Sequence, residues 1–174
     1  MADYQIFTDA TADLTAKMVE GLPSVKVIPM QVEIGGKEYT YGSSGTITAE
    51  EFYGLQRSGQ FGSTSQINPA VYLEYLEPDL AEGRDVLYLC FTSGMSGTYQ
   101  TSRLCMDDLR EKYPERKIDC ADTLCASVGE GLLVTELEDW VMEHRLQVCH
   151  WFSVDTFDHL RHGGRKADIN FTTK

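Results

Sequence analysis

An α/β domain with a largely parallel sheet and helices on both faces is the fold class this sequence predicts, on three observations. Short β-branched or apolar runs alternate with amphipathic stretches along most of the 174 residues, the pattern of successive βα units. The connections carry Gly, Pro, Asn, Ser and Thr at the positions where helices start and stop. Three hydroxyl-rich segments, Thr8 to Thr11, Ser63 to Gln66 and Ser93 to Thr98, fall where strands should end. In open parallel sheets ligands bind at that edge.

Taken in order, Tyr4 to Thr8 reads as a first strand, followed by a short helix through about Glu20 that Thr11 or Asp13 could cap. Val25 to Ile34 is β-branched and extended, Gly35-Gly36 turns it, and Lys37 to Tyr41 returns as a hairpin arm. Thr46 to Glu51 resembles a capping arrangement that starts a helix through about Arg57. Ser58 to Gln66 reads as a loop. Asn68 and Pro69 then open a helix with Tyr72, Tyr75 and Leu76 on one face, which Pro78 should kink and Gly83 should end. Val86 to Cys90 is a strand, and Cys105, Leu109 and Tyr113 mark one face of the next helix, stopped by Pro114. Lys117 to Cys120 is another strand. A loop over Ala121 to Ser127 leads to a helix through Leu132, Leu133, Leu137, Trp140 and Val141, and Val148 to Val154 reads as a last strand.

Composition narrows the function. A hydrophobic share of 42% with 24% charged residues is globular, and no apolar run approaches the ~20 residues of a membrane span, so no stable membrane span is expected. The opening Met-Ala-Asp-Tyr has neither a basic leader nor an apolar core, so the protein reads as cytoplasmic. Five cysteines without a C-x-x-C pair read as reduced core thiols. A net charge of -12 without a basic stripe argues against nucleic acid.

The densest chemical feature is Phe91 to Gln100, a hydroxyl and glycine turn between the strand at 86–90 and the helix after it. A helix start exposes unpaired N–H groups and the positive end of the macrodipole, so this turn is a cradle for a small acidic ligand. Other chemistries fit less well. Gly94-x-Ser96 lacks the closing glycine of a nucleophile elbow, Thr98 standing there, and all four histidines lie late in the chain. A serine-dependent acyl hydrolase or phosphotransferase using Ser96 is the alternative reading. Asp9 lacks the second acid of an aspartyl phosphotransferase, and neither glycine turn carries the lysine of a P-loop. His159, His162 and Asp155 lack a further metal partner, so no metal and no cofactor are expected.

Thr8 to Leu14, Ser63-Thr64-Ser65-Gln66, Ser93 to Gln100, Gly129 to Leu133, and Trp151 to Asp155 with Leu160 to Arg165 are similar, in this order, to the landmarks of the DegV family, bacterial fatty-acid-binding proteins. The resemblance implies an α/β amino-terminal domain, a second domain that closes over the ligand, and a long-chain fatty acid held between them. It also implies a non-enzymatic carrier whose partner, a separate ATP-dependent fatty-acid kinase subunit, phosphorylates the bound carboxylate for phospholipid synthesis. By the same resemblance the carboxylate falls to Thr64 and Ser96, with Ser65 and the Gly97 backbone N–H beside them.

Some positions depart from the family. Ala10 stands where a serine is usual, and His162 where an arginine precedes the paired glycines. Between Val134 and Trp151 there is room for about one helix rather than two, and the sequence ends at Lys174, where the family continues. The expected organisation is therefore a DegV-like amino-terminal domain over 1–155 and the start of a truncated or unobserved second domain over 156–174, with the closing domain mostly absent.

Overall fold

The computed structural model describes residues 4–144. Its centre is a four-stranded, all-parallel sheet made of β1 (Tyr4–Asp9), β2 (Val25–Ile28), β6 (Asp85–Cys90) and β7 (Ile118–Asp122), in the order β2-β1-β6-β7. Side-chain alternation sorts its residues between two faces. Ile6, Val25, Val27, Leu87 and Leu89 point to one core with Leu133, Val134 and Leu137 of α5 (Val128–His144). Phe7, Val86, Tyr88, Cys90 and Ile118 point to the other, with Tyr72 and Leu76 of α3 (Pro69–Ala81) and Met106 and Leu109 of α4 (Thr98–Lys112). The sheet therefore has helices on both faces and its two central strands are buried on both sides, which suits the apolar run of β6, while β1 also buries Gln5, Thr8 and Asp9. Tyr72 and Tyr88 meet edge to face with centroids 5.7 Å apart, a contact worth roughly 0.5–1.5 kcal/mol beyond burial.

The run Val25 to Ile34 is two strands and not one. Pro29 has no N–H to give a ladder, and the chain changes sheets there. β3 (Met30–Ile34) pairs antiparallel with β4 (Lys37–Tyr41) through a two-residue Gly35-Gly36 turn, both residues at positive φ as a tight hairpin requires. The other edge of β3 takes β5 (Gly62–Thr64), Val32 opposite Thr64, inside what the sequence reads as a loop. This strand is short and exposed, with no apolar alternation to signal it.

Helix ends follow side-chain chemistry. Thr48 and Glu51 form a reciprocal capping box on α2 (Ala49–Arg57), and Asn68 Oδ1 accepts from Ala70 N at 2.9 Å to start α3. α3 runs through Pro78 and ends before Gly83. α1 (Ala16–Glu20) is capped by Thr15, not by Thr11 or Asp13, because Asp9 to Ala12 make a separate 3-10 turn whose cap is Asp9. Asp79 of α3, fully buried, is paired by Lys26 of β2 at 2.7 Å and Arg84 at 2.7 Å, which keeps its charge compensated. The expected strand Val148 to Val154, the histidines from His150 onward, Cys149 and the segment 156–174 lie outside the described residues.

α5 approaches the 3-10 turn closely because Gly131 has no side chain. A Cβ there would stand 2.7 Å from the Ala12 carbonyl oxygen, a backbone atom that cannot swing aside. Gly131→Ala should therefore destabilise the fold by about 1–3 kcal/mol, read as a lower urea midpoint with an unchanged m-value.

Candidate functional site

The winding of the parallel sheet reverses between β1 and β6, since β1 leads to β2 on one side and β6 to β7 on the other. The crevice outside the carboxyl ends of β1 and β6 is thus the topological switch point. Asp9 and the turn beginning at Phe91 stand at its two lips.

The β1 lip is not an open hydroxyl cradle. Thr8 and Asp9 are fully buried, and Asp9 accepts from Thr11 N at 2.9 Å, Tyr88 Oη at 2.6 Å, Phe91 N at 3.4 Å and the Thr11 hydroxyl. Glu130 enters from α5 with no exposed surface. Its Oε1 takes the Thr8 hydroxyl at 3.1 Å, and its Oε2 lies 2.9 Å from Thr11 Oγ1. Burial first, then the neighbouring Asp9 charge, raises the Glu130 pKa to about 9, against the lowering effect of the Thr11 and Thr8 hydroxyls. Burial and the same Asp9 charge push the Tyr88 phenol well above its usual value. The hydroxyls at Thr8 and Thr11 are therefore spent inside the protein, a correction to reading this segment as ligand-facing.

Asp13, in left-handed backbone, makes a second hub. It accepts from Tyr41 of β4 at 2.7 Å, Tyr53 of α2 at 3.0 Å and Ser127 before α5 at 2.5 Å. Ser127 N also donates to the Thr11 carbonyl at 2.9 Å. One carboxylate thus ties the antiparallel sheet and α2 to the parallel sheet.

The β6 lip is the turn at 91–97, held at several points. Thr92 N donates to the Cys125 carbonyl at 3.1 Å, Ser93 N to Asp122 Oδ1 at 3.1 Å, and Gly94 N to Thr92 Oγ1 at 3.1 Å. Ser96 Oγ is half-buried, 2.8 Å from Thr98 Oγ1, and accepts from Thr98 N at 3.2 Å. The Ser96 and Gly97 amides take no acceptor among the described residues, and α4 has no side-chain cap. These N–H groups and the Ser96 hydroxyl are thus among the donors that the start of α4 leaves for an anion. Neither Thr98 group near Ser96 is a base.

Thr64 and Ser65 lie on and just after β5, an edge strand of the antiparallel sheet, rather than at the end of a parallel strand. Both are exposed. They line a groove of about 360 Å³ with Gln31, Glu33, Glu38 and Ser63, and a second groove of about 650 Å³ runs from Ser65 and Gln66 past Met30, Ile67 and Val71 to Tyr75 and Thr101. The link between the two hydroxyl segments is Gln66. Its side-chain nitrogen sits 2.8 Å from where a Cβ on Gly97 would be, so the side chain that follows Thr64-Ser65 reaches the turn that carries Ser96.

Sequence reasoning weighed Asp9 only as a phosphotransferase acid and Asp13 only as a helix cap, and gave Glu130 and Asp122 no role of their own. A signal was present for Glu130: an acid flanked by two glycines just before the apolar run Leu132 to Val134. Among the described residues no group of three His, Cys, Asp or Glu side chains could hold a metal ion, and no helix is long and apolar enough to cross a membrane.

Comparison with known proteins adds kinship. The profile described as uncharacterised protein, DegV family, matches residues 3–169. A DegV domain-containing protein of Clostridium perfringens is 37% identical over 178 residues, covering 95% of this chain and 61% of that protein. Among solved structures, a DegV family protein from Thermus thermophilus, described for its fatty acid binding, is 27% identical with a TM-score of 0.71, covering 92% of this chain and 54% of its own. The fatty acid kinase B3 protein of Streptococcus pneumoniae, solved with linoleic acid, shares the fold at 18% identity and TM-score 0.67, over 92% of this chain and 53% of its own. The chain thus spans about 60% of the length of the curated relative and about half that of the solved structures.

Asp13→Ala should leave the Tyr41 and Ser127 hydroxyls without an acceptor and lower stability by about 1–3 kcal/mol. The same change should bring the Tyr41 phenol down toward its ordinary pKa, since after burial the Asp13 contact is what raises it. Ultraviolet titration of tyrosinate measures the second effect.

Proposed function

The chain belongs to the DegV family, and on that premise we propose that it supplies the head-group half of a long-chain fatty-acid site. In this reading Thr64, Ser65, Ser96 and the Gly97 amide hold the carboxylate. A separate fatty-acid kinase phosphorylates it, and the chain is a carrier and not an enzyme. The observation that carries the reading is the Gln66 side chain, two residues beyond Thr64, lying against Gly97 beside Ser96. The fatty acid binding described for the Thermus thermophilus relative supports the choice of ligand. The name of the Streptococcus pneumoniae protein is the motive for the kinase partner.

The energetics suit a division between tail and head. Burying roughly fifteen methylenes gives on the order of 12 kcal/mol gross, whereas each hydrogen bond to a charged head adds about 1.5–3 kcal/mol. Affinity comes from the tail, and the hydroxyls set where the carboxylate sits. Neutral donors also leave the head nucleophilic, which a close cation would not. With Glu33 and Glu38 lining the Thr64 groove and a net charge of -12, the head has to be held by local dipoles against the wider field.

Thr64→Ala and Ser96→Ala should each reduce retained fatty acid roughly tenfold or more, one lost charge-assisted hydrogen bond apiece. Denaturing mass spectrometry of the purified protein reads the retained lipid, and acyl-phosphate formation with an added fatty-acid kinase reads the head position. Unchanged values in both variants, or labelling of Ser96 by a fluorophosphonate with no lipid recovered, would overturn the reading.

A further inference from the structure

We propose that Glu130, Thr11 and Asp9 form a proton-carrying brace that ties α5 to the carboxyl end of β1 and, through Asp9, sets the position of the turn at 91–97. Thr11 Oγ1 lies within hydrogen-bonding distance of two carboxyl oxygens, Asp9 Oδ1 and Glu130 Oε2, yet a hydroxyl has one proton to give. The second contact forms only if one carboxyl group supplies a proton of its own.

The surroundings decide which. Asp9 is met by the N–H groups of Thr11 and Phe91 and by the Tyr88 hydroxyl, donors that fill its lone pairs. Among the described residues Glu130 has only the two threonine hydroxyls for side-chain partners. The chain of donors therefore runs from the Glu130 carboxylic acid to Thr11 Oγ1, from the Thr11 hydroxyl to Asp9, and from the Thr8 hydroxyl to Glu130 Oε1. Two fully buried carboxyl groups share one negative charge, which is far cheaper than two.

The brace reaches the cradle directly. Asp9 holds Phe91 N, and the loop that enters α5 holds the next residue, Thr92 N on the Cys125 carbonyl, while Ser127 N is fixed on Thr11 O. The acidic groups facing Glu130 are Asp9 from β1 and Asp13 from the turn after it. Tyr88 of β6 is reached through Asp9, and Tyr41 of β4 and Tyr53 of α2 through Asp13. No lysine or arginine pairs with Asp9, Asp13 or Glu130 among the described residues.

The sign of the pH effect follows from linkage. Between the ordinary carboxyl value of 4.5 and about 9 the folded chain keeps a proton that the unfolded chain has lost, so stability falls as pH rises through that interval and levels off above it. Glu130→Gln keeps the shape without the titration and should not show that slope.

Side-chain NMR over a pH series tests the brace on the chain as it stands. The Glu130 carboxyl carbon and the methyl signals of Thr8, Thr11 and Thr92 should move together with a midpoint near 9, and the threonine signals of Glu130→Gln should stay still. A Glu130 midpoint in the ordinary carboxyl range, or equal threonine shifts in both proteins, overturns the proposal; if the variant does not fold, the wild-type midpoint decides it. A second arm rests on the head-group reading above. Oleate retention should fall several-fold in the wild type across that midpoint and hold steady in Glu130→Gln. Oleate binding to neither protein at any pH would remove the head-group reading, while the NMR midpoint still judges the brace.

Discussion

Burying carboxyl groups at the end of a central parallel strand is the constraint around which this structure is arranged. Asp9 and Glu130 have no exposed surface, Asp13 is half-buried, and each must find enough donors to offset its lost hydration. Those donors come from several neighbouring segments: Tyr88 of β6, Phe91 of the cradle turn, Tyr41 of β4, Tyr53 of α2 and Ser127 before α5. Satisfying three acids thus fixes both sheets, two helices and the candidate anion site relative to one another. Apolar packing supplies most of the stability but little of this orientation, because it is not directional.

The same requirement explains the positions of glycine and tyrosine near the site. Gly131 lets α5 come close enough for Glu130 to reach Thr8 and Thr11. Tyr88 and Tyr41 serve twice, their rings in the cores and their hydroxyls on the acids. The turn at 91–97 then has most of its amides committed to Asp9, Cys125, Asp122 and Thr92, which holds the Ser96 and Gly97 donors rigidly. Rigid donors suit a ligand whose head must be presented in one orientation.

Much of the fold was legible because it rests on local rules. Val86 to Cys90 is apolar on both faces, the capping box at Thr48 and Glu51 is a contiguous motif, and Gly35-Gly36 between two extended runs allows little but a hairpin. The failures have equally physical causes. β5 is three exposed polar residues made into a strand only by the free edge of β3, and the β-branched run 25–34 hides a change of sheet at Pro29. Thr11 lost its predicted capping role because Asp9, two residues earlier, captures its N–H and hydroxyl.

At the site the division runs along sequence separation. From the chain alone come the hydroxyl-rich turn before α4, the ordered landmarks of the DegV family and the expectation, from charge, of no nucleic-acid partner, since all of these are read from neighbouring residues or from bulk composition. Only the tertiary structure decided that Thr8 and Thr11 face a buried acid rather than a ligand, for their partner Glu130 is 122 residues from Thr8. It likewise set Gln66 upon Gly97 and made Asp13 the joint between two sheets. The reason is that desolvation is a property of place: a carboxyl group's need for donors, and even its proton, depends on what the fold packs around it.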